Sequence, residues 1–252
     1  MPQVALTTDI GEGYGRWRLA DDAALLDLVT GANIACGFHA GDPGIMRETC
    51  ARAVRNGVAI GAQVSYRDLH GFGRRFIAYE RRELADDLLY QLGALEVFAR
   101  LAGGRIDFVR AHGALYNTAA THAEHAQAIV DAVREYDAAL PLLCQSGTET
   151  WRLAEAAGLR VVPEGFVDRA YTPDGLLVPR SRPDAMVTDP ETAAARAVAM
   201  VTAGETTAVD GSRVPIRAEA LVVHSDSAGA LEIARATRRA LDSADVELVP
   251  VR

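Results

Sequence analysis

Asp9, His39, Gln63, Arg110 with His112, Asp168 with Arg169, and His224 with Asp226 are the residues of this chain best suited to chemistry. Each group stands at or just after a short apolar run that reads as a strand. Carboxylates and imidazoles can move protons or orient water. A guanidinium can grip a carboxylate through two parallel hydrogen bonds. In a parallel α/β barrel the C-terminal strand ends converge on one face. A recurring polar residue at those ends, with no matching series at the strand starts, therefore points to one polar site at a barrel mouth. Other polar residues carry blander readings. Glu12 reads as solvated or bonded to backbone. His122 and His125 read as exposed helix neighbours, and Arg74 with Arg75 as a basic pair on a loop, suited to an anion or a partner or simply exposed. Cys36 reads as a small buried group rather than a nucleophile.

The elements that must position these residues follow from local signals. In Asn33-Ile-Ala-Cys-Gly-Phe-His-Ala-Gly-Asp42, Ile34 and Ala35 end a buried strand and Gly37 and Gly41 allow a tight loop. Asp42-Pro43 then opens a helix, with the carboxylate as cap and proline at the first helical position. His39 is thus placed on a strand-to-helix loop. Further strands are predicted at 4–8, 58–62, 108–109, 140–144, 161–167 and 220–223. Helices are predicted at 21–30, 43–56, 80–102, 121–136, 149–157 and 228–241, and another opens at the Thr188/Glu191 capping box. The alternation, unbroken by any linker, predicts one α/β domain over 1–252. A small hairpin is expected at 205–216, and an extra strand or tail at 246–252.

The 252 residues are 49% hydrophobic, enough for a full core. The formal charge of −8 and the lack of a basic block argue against nucleic-acid binding. No apolar run is long enough for a membrane span and no signal-peptide pattern opens the chain, so a cytoplasmic location is expected. Three scattered cysteines suit free thiols. All 26 basic residues are arginine, which excludes Schiff-base, P-loop and kinase-type lysines.

Several stretches together resemble the LamB/YcsF family, which includes the A subunits of bacterial ATP-dependent 5-oxoprolinases. They are Asp9-Ile-Gly-Glu-Gly13, the Asn33–Asp42 run, Gly71-Phe-Gly-Arg-Arg75, His112-Gly-Ala-Leu-Tyr-Asn117, Asp168-Arg-Ala-Tyr171 and Leu177-Val-Pro-Arg180. They occur in family order over nearly the whole chain. The family pattern has asparagine, histidine and lysine where this chain has Thr7, Gln63 and Arg110. Arginine stays protonated where lysine can exchange a proton, and Gln63 has no acid–base chemistry.

The resemblance implies a single-domain, seven-stranded β/α barrel, TIM-barrel-like and related to sugar deacetylases. It further implies opening of the 5-oxoproline lactam to glutamate, with ATP as co-substrate and subunits B and C as partners. Asp9, His39 and His112 are the expected catalytic residues. Glu12, Gln63, Arg74, Arg110, Tyr116, Asn117, Asp168, Arg169, His224 and Asp226 are expected on the substrate side, with Arg110 or Arg169 binding its carboxylate. Two alternatives stand: a metal-dependent deacetylase-like hydrolase using Asp9, His39 and His112, and a non-catalytic subunit that binds small carboxylates or serves assembly. No tightly bound transition metal is expected, because Thr7 and Gln63 weaken a ligand set drawn from positions 7, 9, 39 and 63.

Overall fold

Successive side chains of a strand point to opposite faces, and this period of two organises the inside of the protein. The computed structural model describes residues 1–251. Its elements are β1 (Gln3–Ile10), α1 (Asp22–Leu26), β2 (Gly31–Ala35), α2 (Pro43–Asn56), β3 (Ala59–Val64) and α3 (Arg81–Leu101). There follow β4 (Phe108–Ala111), α4 (Gly113–Ala119), α5 (Ala123–Asp137), β5 (Leu142–Cys144), α6 (Glu149–Ala156) and β6 (Val161–Phe166). The chain ends with α7 (Pro190–Thr202), β7 (Glu205–Thr207), β8 (Arg213–Pro215), β9 (Ala220–Val223), α8 (Ala230–Ser243) and β10 (Glu247–Leu248). Strands β1 to β6 and β9 pair in parallel, and β9 returns to β1, so the sheet closes into a seven-stranded barrel. The short β10 pairs with β1 at Gln3 and Val4, and β7 with β8 forms the expected hairpin.

Inside the barrel, Ala5, Ala59, Phe108, Leu143, Val162 and Ala220 form an apolar cluster that Val251 joins. One step of two residues further along, the same inward faces carry Thr7, Arg110 and Glu164, and two such steps beyond Ala59 stands Gln63, all buried. An apolar floor thus lies beneath a polar layer. Phe108 fills the floor only because Gly61 faces it: a Cβ at Gly61 would stand 2.1 Å from a Phe108 ring carbon.

Local signals hold at α2, where Asp42 accepts from the N–H groups of Gly44 and Ile45 and Gly57 ends the helix at φ +68. Four expectations need correction. The helix expected to reach Thr30 stops at Leu26, because Gly31 is already paired with Thr7 in the sheet. The Thr188/Glu191 capping box is displaced by one residue: Asp189 caps α7 by accepting from Thr192 N. Helix α4, which no local signal announces, begins one residue after His112. Asp9, Gln63 and Arg110 lie within strands rather than after them, since pairing extends each strand beyond its apolar stretch.

Gly61→Ala is expected to lower stability by about 1–3 kcal/mol through overpacking, as read by urea denaturation. Combining it with Phe108→Leu should recover part of that loss; strict additivity of the two changes would show that the floor does not depend on this contact.

Candidate functional site

Arg110 projects from β4 into the polar layer, deep inside the barrel. Its Nε donates to Glu164 Oε1 at 2.7 Å and its Nη1 to Asp9 Oδ1 at 3.0 Å. Tyr116 and Phe166 face the guanidinium at 5.1 and 5.5 Å. Asn33 Nδ2 also donates to Asp9 Oδ1, at 2.9 Å. Burial pushes Asp9 up, but Arg110 and its other neighbours outweigh burial and hold the carboxyl below its usual range. At Glu164 burial prevails over Arg110, and the carboxyl is raised. Asp9 Oδ2 has no protein hydrogen-bond donor among the described residues and is left to the cavity that Asp9 lines.

His39 and His112 stack face to face, with ring centroids 3.7 Å apart and planes within 9°. All four ring nitrogens are engaged. His112 Nε2 donates to Phe72 O at 3.0 Å, so its Nδ1 is the acceptor for Gln63 Nε2 at 2.9 Å. Ser65 Oγ donates to Tyr66 O and receives the Nδ1 proton of His39 at 3.0 Å. That leaves His39 Nε2 as an acceptor, 3.1 Å from Glu12 Oε1. Glu12 is therefore neither solvated nor backbone-bonded, as its sequence context suggested. It is buried against both imidazoles, and Ser225 Oγ donates to its other oxygen at 3.2 Å. Burial, then the charge of Asp9, raises its carboxyl well above the normal value, which supplies the proton that His39 Nε2 accepts. The Gly71-Phe72-Gly73 turn covers the pair; a Cβ at Gly73 would meet His112 at 2.8 Å and His39 at 2.9 Å. Phe72 holds a left-handed φ of 54°, a conformation that costs a non-glycine residue energy.

Glu12, His39 and His112 are also the group whose potential ligand atoms converge within 4.8 Å among the described residues. Their geometry does not suit zinc. An imidazole lone pair lies in the ring plane, and a zinc–nitrogen bond is about 2.0–2.1 Å. Two parallel rings stacked at 3.7 Å direct their lone pairs side by side, so an ion close to both nitrogens would sit far out of at least one plane.

His224 has a different setting. Its Nδ1 is 2.8 Å from Asp168 Oδ1, its backbone N–H donates to Asp168 Oδ2, and Ser227 Oγ donates to the same oxygen. Burial raises the Asp168 carboxyl, but His224 and these hydrogen bonds lower it further, so it stays ionised. The dyad fixes the proton on Nδ1 and leaves Nε2 bare at the cavity that His224 lines.

Asp9, Arg110, His112, Tyr116, Phe166 and His224 enclose an inner cavity of about 20 Å³. Arg74, Asn117, Arg169 and Arg180 border it and also line a wider outer cavity of about 530 Å³. Arg74 pairs with Asp226 at 2.5 Å, and Arg180 with the same carboxylate at 3.3 Å. Arg75, which the sequence groups with Arg74, instead binds Asp68.

The LamB/YcsF family profile matches residues 4–252. The chain belongs to the LamB/YcsF family. It is 51% identical over 246 residues to a Kocuria rhizophila protein that bears the name of the 5-oxoprolinase A subunit, covering 98% of each chain. A protein of the same name from Nocardia farcinica is 53% identical over 241 residues, again over 96% of each. The crystal structure of a lactam utilization protein from Thermus thermophilus superposes with a TM-score of 0.94 at 45% identity, covering 99% of this chain and 100% of that one. A T48 deacetylase shares the barrel at 15% identity, with a TM-score of 0.51 over 99% of this chain and 88% of its own.

Asp9, His39, Gln63, Arg110, His112, Asp168 and His224 thus come together at one mouth. The departures from the family pattern are absorbed into internal bonds. Thr7 Oγ1 donates to Leu221 O, Gln63 donates to His112, and Arg110 reaches two carboxylates. Arg110 has Nε and Nη1 engaged, so it is not the free carboxylate clamp the sequence suggested. His125 is buried and bonds Tyr66 Oη through Nδ1, contrary to its reading as a solvated neighbour of His122. Sequence reasoning passed over Glu164, although a charged residue in an otherwise apolar strand is a signal, and gave Arg180 no role despite its place in a family motif.

Replacing Arg110 by methionine should cost about 3–5 kcal/mol, because two carboxylates lose their buried partner; thermal melts would read this as a Tm loss of roughly 6–20 °C. A loss below about 1 kcal/mol would mean the triplet is not structural. Burial holds His39 near a pKa of about 3 and lowers His112 as well. Their imidazole resonances should therefore stay at neutral positions between about pH 8 and pH 5; titration of either one in that range by NMR would contradict the assignment.

Proposed function

We propose that this chain is the lactam-opening subunit of an ATP-dependent 5-oxoprolinase, working in the cytoplasm with subunits B and C to convert 5-oxoproline to glutamate. The observation that carries this reading is the convergence of Asp9 Oδ2, the Arg110 layer and the bare His224 Nε2 on one small cavity at the barrel mouth. The names of relatives about half identical over almost the whole chain point to the same substrate. An arginine-lined approach suits an anionic lactam.

In this reading the lactam ring lies against Asp9 and His224, with Tyr116, Asn117 and the arginines around it. Ionised Asp9 accepts a hydrogen bond from the attacking water and aligns it. His224 Nε2 takes a proton as the water oxygen bonds to the ring carbonyl carbon, and Asp168 stabilises the imidazolium that results. When the C–N bond breaks, the proton returns to the nitrogen, which becomes the amino group of glutamate. ATP serves to activate the amide oxygen by phosphorylation, with ADP leaving. C–N cleavage then leaves an acyl phosphate, which a second water hydrolyses to the carboxylate and inorganic phosphate. The partner subunits contribute to the phosphorylation, since this chain has no lysine-based nucleotide motif. His39 and His112 act as positioning residues, holding neutral Glu12 and the wall beside Asp9. We also propose that no transition metal is held tightly, consistent with the stacked geometry of the histidine pair.

In the reconstituted complex, Asp9→Asn and His224→Gln should each lower 5-oxoproline-dependent turnover by about 10²–10⁴-fold with the fold retained, the range for a positioned acid or base. The isolated chain should show negligible turnover. Loss of less than about threefold in both variants, or robust turnover by the chain alone, would overturn the assignment.

A further inference from the structure

Arg74, Arg169 and Arg180 ring the passage between the inner and outer cavities. Asp226 meets both Arg74 and Arg180. Arg169 is buried and donates from Nε to Ala185 O and from Nη2 to Val178 O, and no carboxylate pairs with it among the described residues. Its neighbour Asp168 has both oxygens engaged by His224 and Ser227. Arg180 Nε is likewise buried without an acceptor. Removing a guanidinium from water without a counter-ion is costly, and this passage holds guanidinium N–H groups that no carboxylate of the described residues pairs directly. Burial and then nearby Arg180 depress Arg169 to about 10, which still leaves it charged at neutral pH.

The lactam acid brings one carboxylate. Asp226 is shared by Arg74 and Arg180, and nearby Asp168 and Asp9 form no ion pair with any of the three. One substrate carboxylate pairs directly with one more guanidinium, leaving another without a direct partner. The outer cavity, at about 530 Å³, is also far larger than a five-membered lactam requires. We infer that this passage is a phosphoryl subsite, in which Arg169 and Arg180, with Arg74 beside them, hold a phosphoryl dianion next to the lactam position. Guanidinium forks match two phosphate oxygens at once, and a phosphoryl group carries up to two negative charges at neutral pH. In assigning that anion to the same reaction, the inference rests on the lactam-hydrolase reading. The phosphoryl group could arrive on a nucleotide, on a phosphorylated form of the substrate, or as released inorganic phosphate.

The test is calorimetric titration of the full chain with inorganic phosphate, ATP and 5-oxoproline separately, using wild type, Arg180→Gln and Arg169→Met, with thermal melts to verify folding. Arg180 is the cleaner variant because Arg169 also braces backbone. Inorganic phosphate should bind one to one, and Arg180→Gln should weaken it roughly tenfold or more with an unchanged melt. ATP binding at least tenfold tighter than phosphate, lost in the same variant, would assign the group to a nucleotide. Equal or weaker ATP binding would assign it to phosphate or a phosphorylated small molecule. Phosphate binding that is absent, or indifferent to Arg180→Gln while 5-oxoproline binding falls, would overturn the subsite and leave the lactam reading standing. Phosphate binding that depends on Arg180, in a protein that neither binds 5-oxoproline nor supports its turnover in the complex, would keep the subsite and sink the lactam reading.

Discussion

A guanidinium removed from bulk water has to be surrounded by its own counter-charges, and Arg110 sets this requirement at the centre of the barrel. Asp9 from β1 and Glu164 from β6 flank it, while Tyr116 and Phe166 offer their faces. The pairing ties together strands that are not neighbours in the sheet. Removing one partner would leave an uncompensated buried charge, which costs more than the pair itself gains. The same arrangement keeps Asp9 ionised at a depth where burial alone would neutralise it. Structure and chemistry therefore depend on one triplet.

The histidines divide by whether their nitrogens are free. His39 and His112 lie beneath the Phe72 turn with every ring nitrogen bonded, and burial keeps both neutral. They form a rigid wall with protonated Glu12. His224 has one nitrogen fixed by Asp168 and the other bare at the cavity. A base must have a vacant lone pair at the reacting water, so hydrogen bonding rather than residue type decides which imidazole can serve. Gly73 is required for this arrangement, since a side chain there would collide with the His112 ring and with Cβ of His39.

The protein as a whole is acidic, with a formal charge of −8, yet its mouth gathers arginines. A local positive cleft in a negative molecule draws small anions to one place. Because every basic residue other than histidine is arginine, none of the guanidinium groups at the mouth can release its charge near neutral pH, even where burial lowers Arg169 to about 10. The same property suits Arg110 to a permanent ion triplet and removes it from acid–base work.

What the sequence by itself determined was what local rules encode. Strand–helix alternation, the Asp42-Pro43 start of α2, the Gly57 stop, the hairpin and the series of polar residues at one barrel mouth were all readable from spacing and residue type. So was the family, whose motifs are contiguous. Only the tertiary structure decided the rest. Glu12 is polar and sits between glycines, so nothing local distinguishes a solvated carboxylate from one buried against His39 and His112, whose loops lie after other strands. His125 is buried by Tyr66, 59 positions away in the chain. Arg110 is paired 101 positions back and 54 forward, and Arg180 meets Asp226 across 46. Periodicity specifies which face a side chain occupies; the partner it meets there is set by barrel closure, which brings distant strands into register.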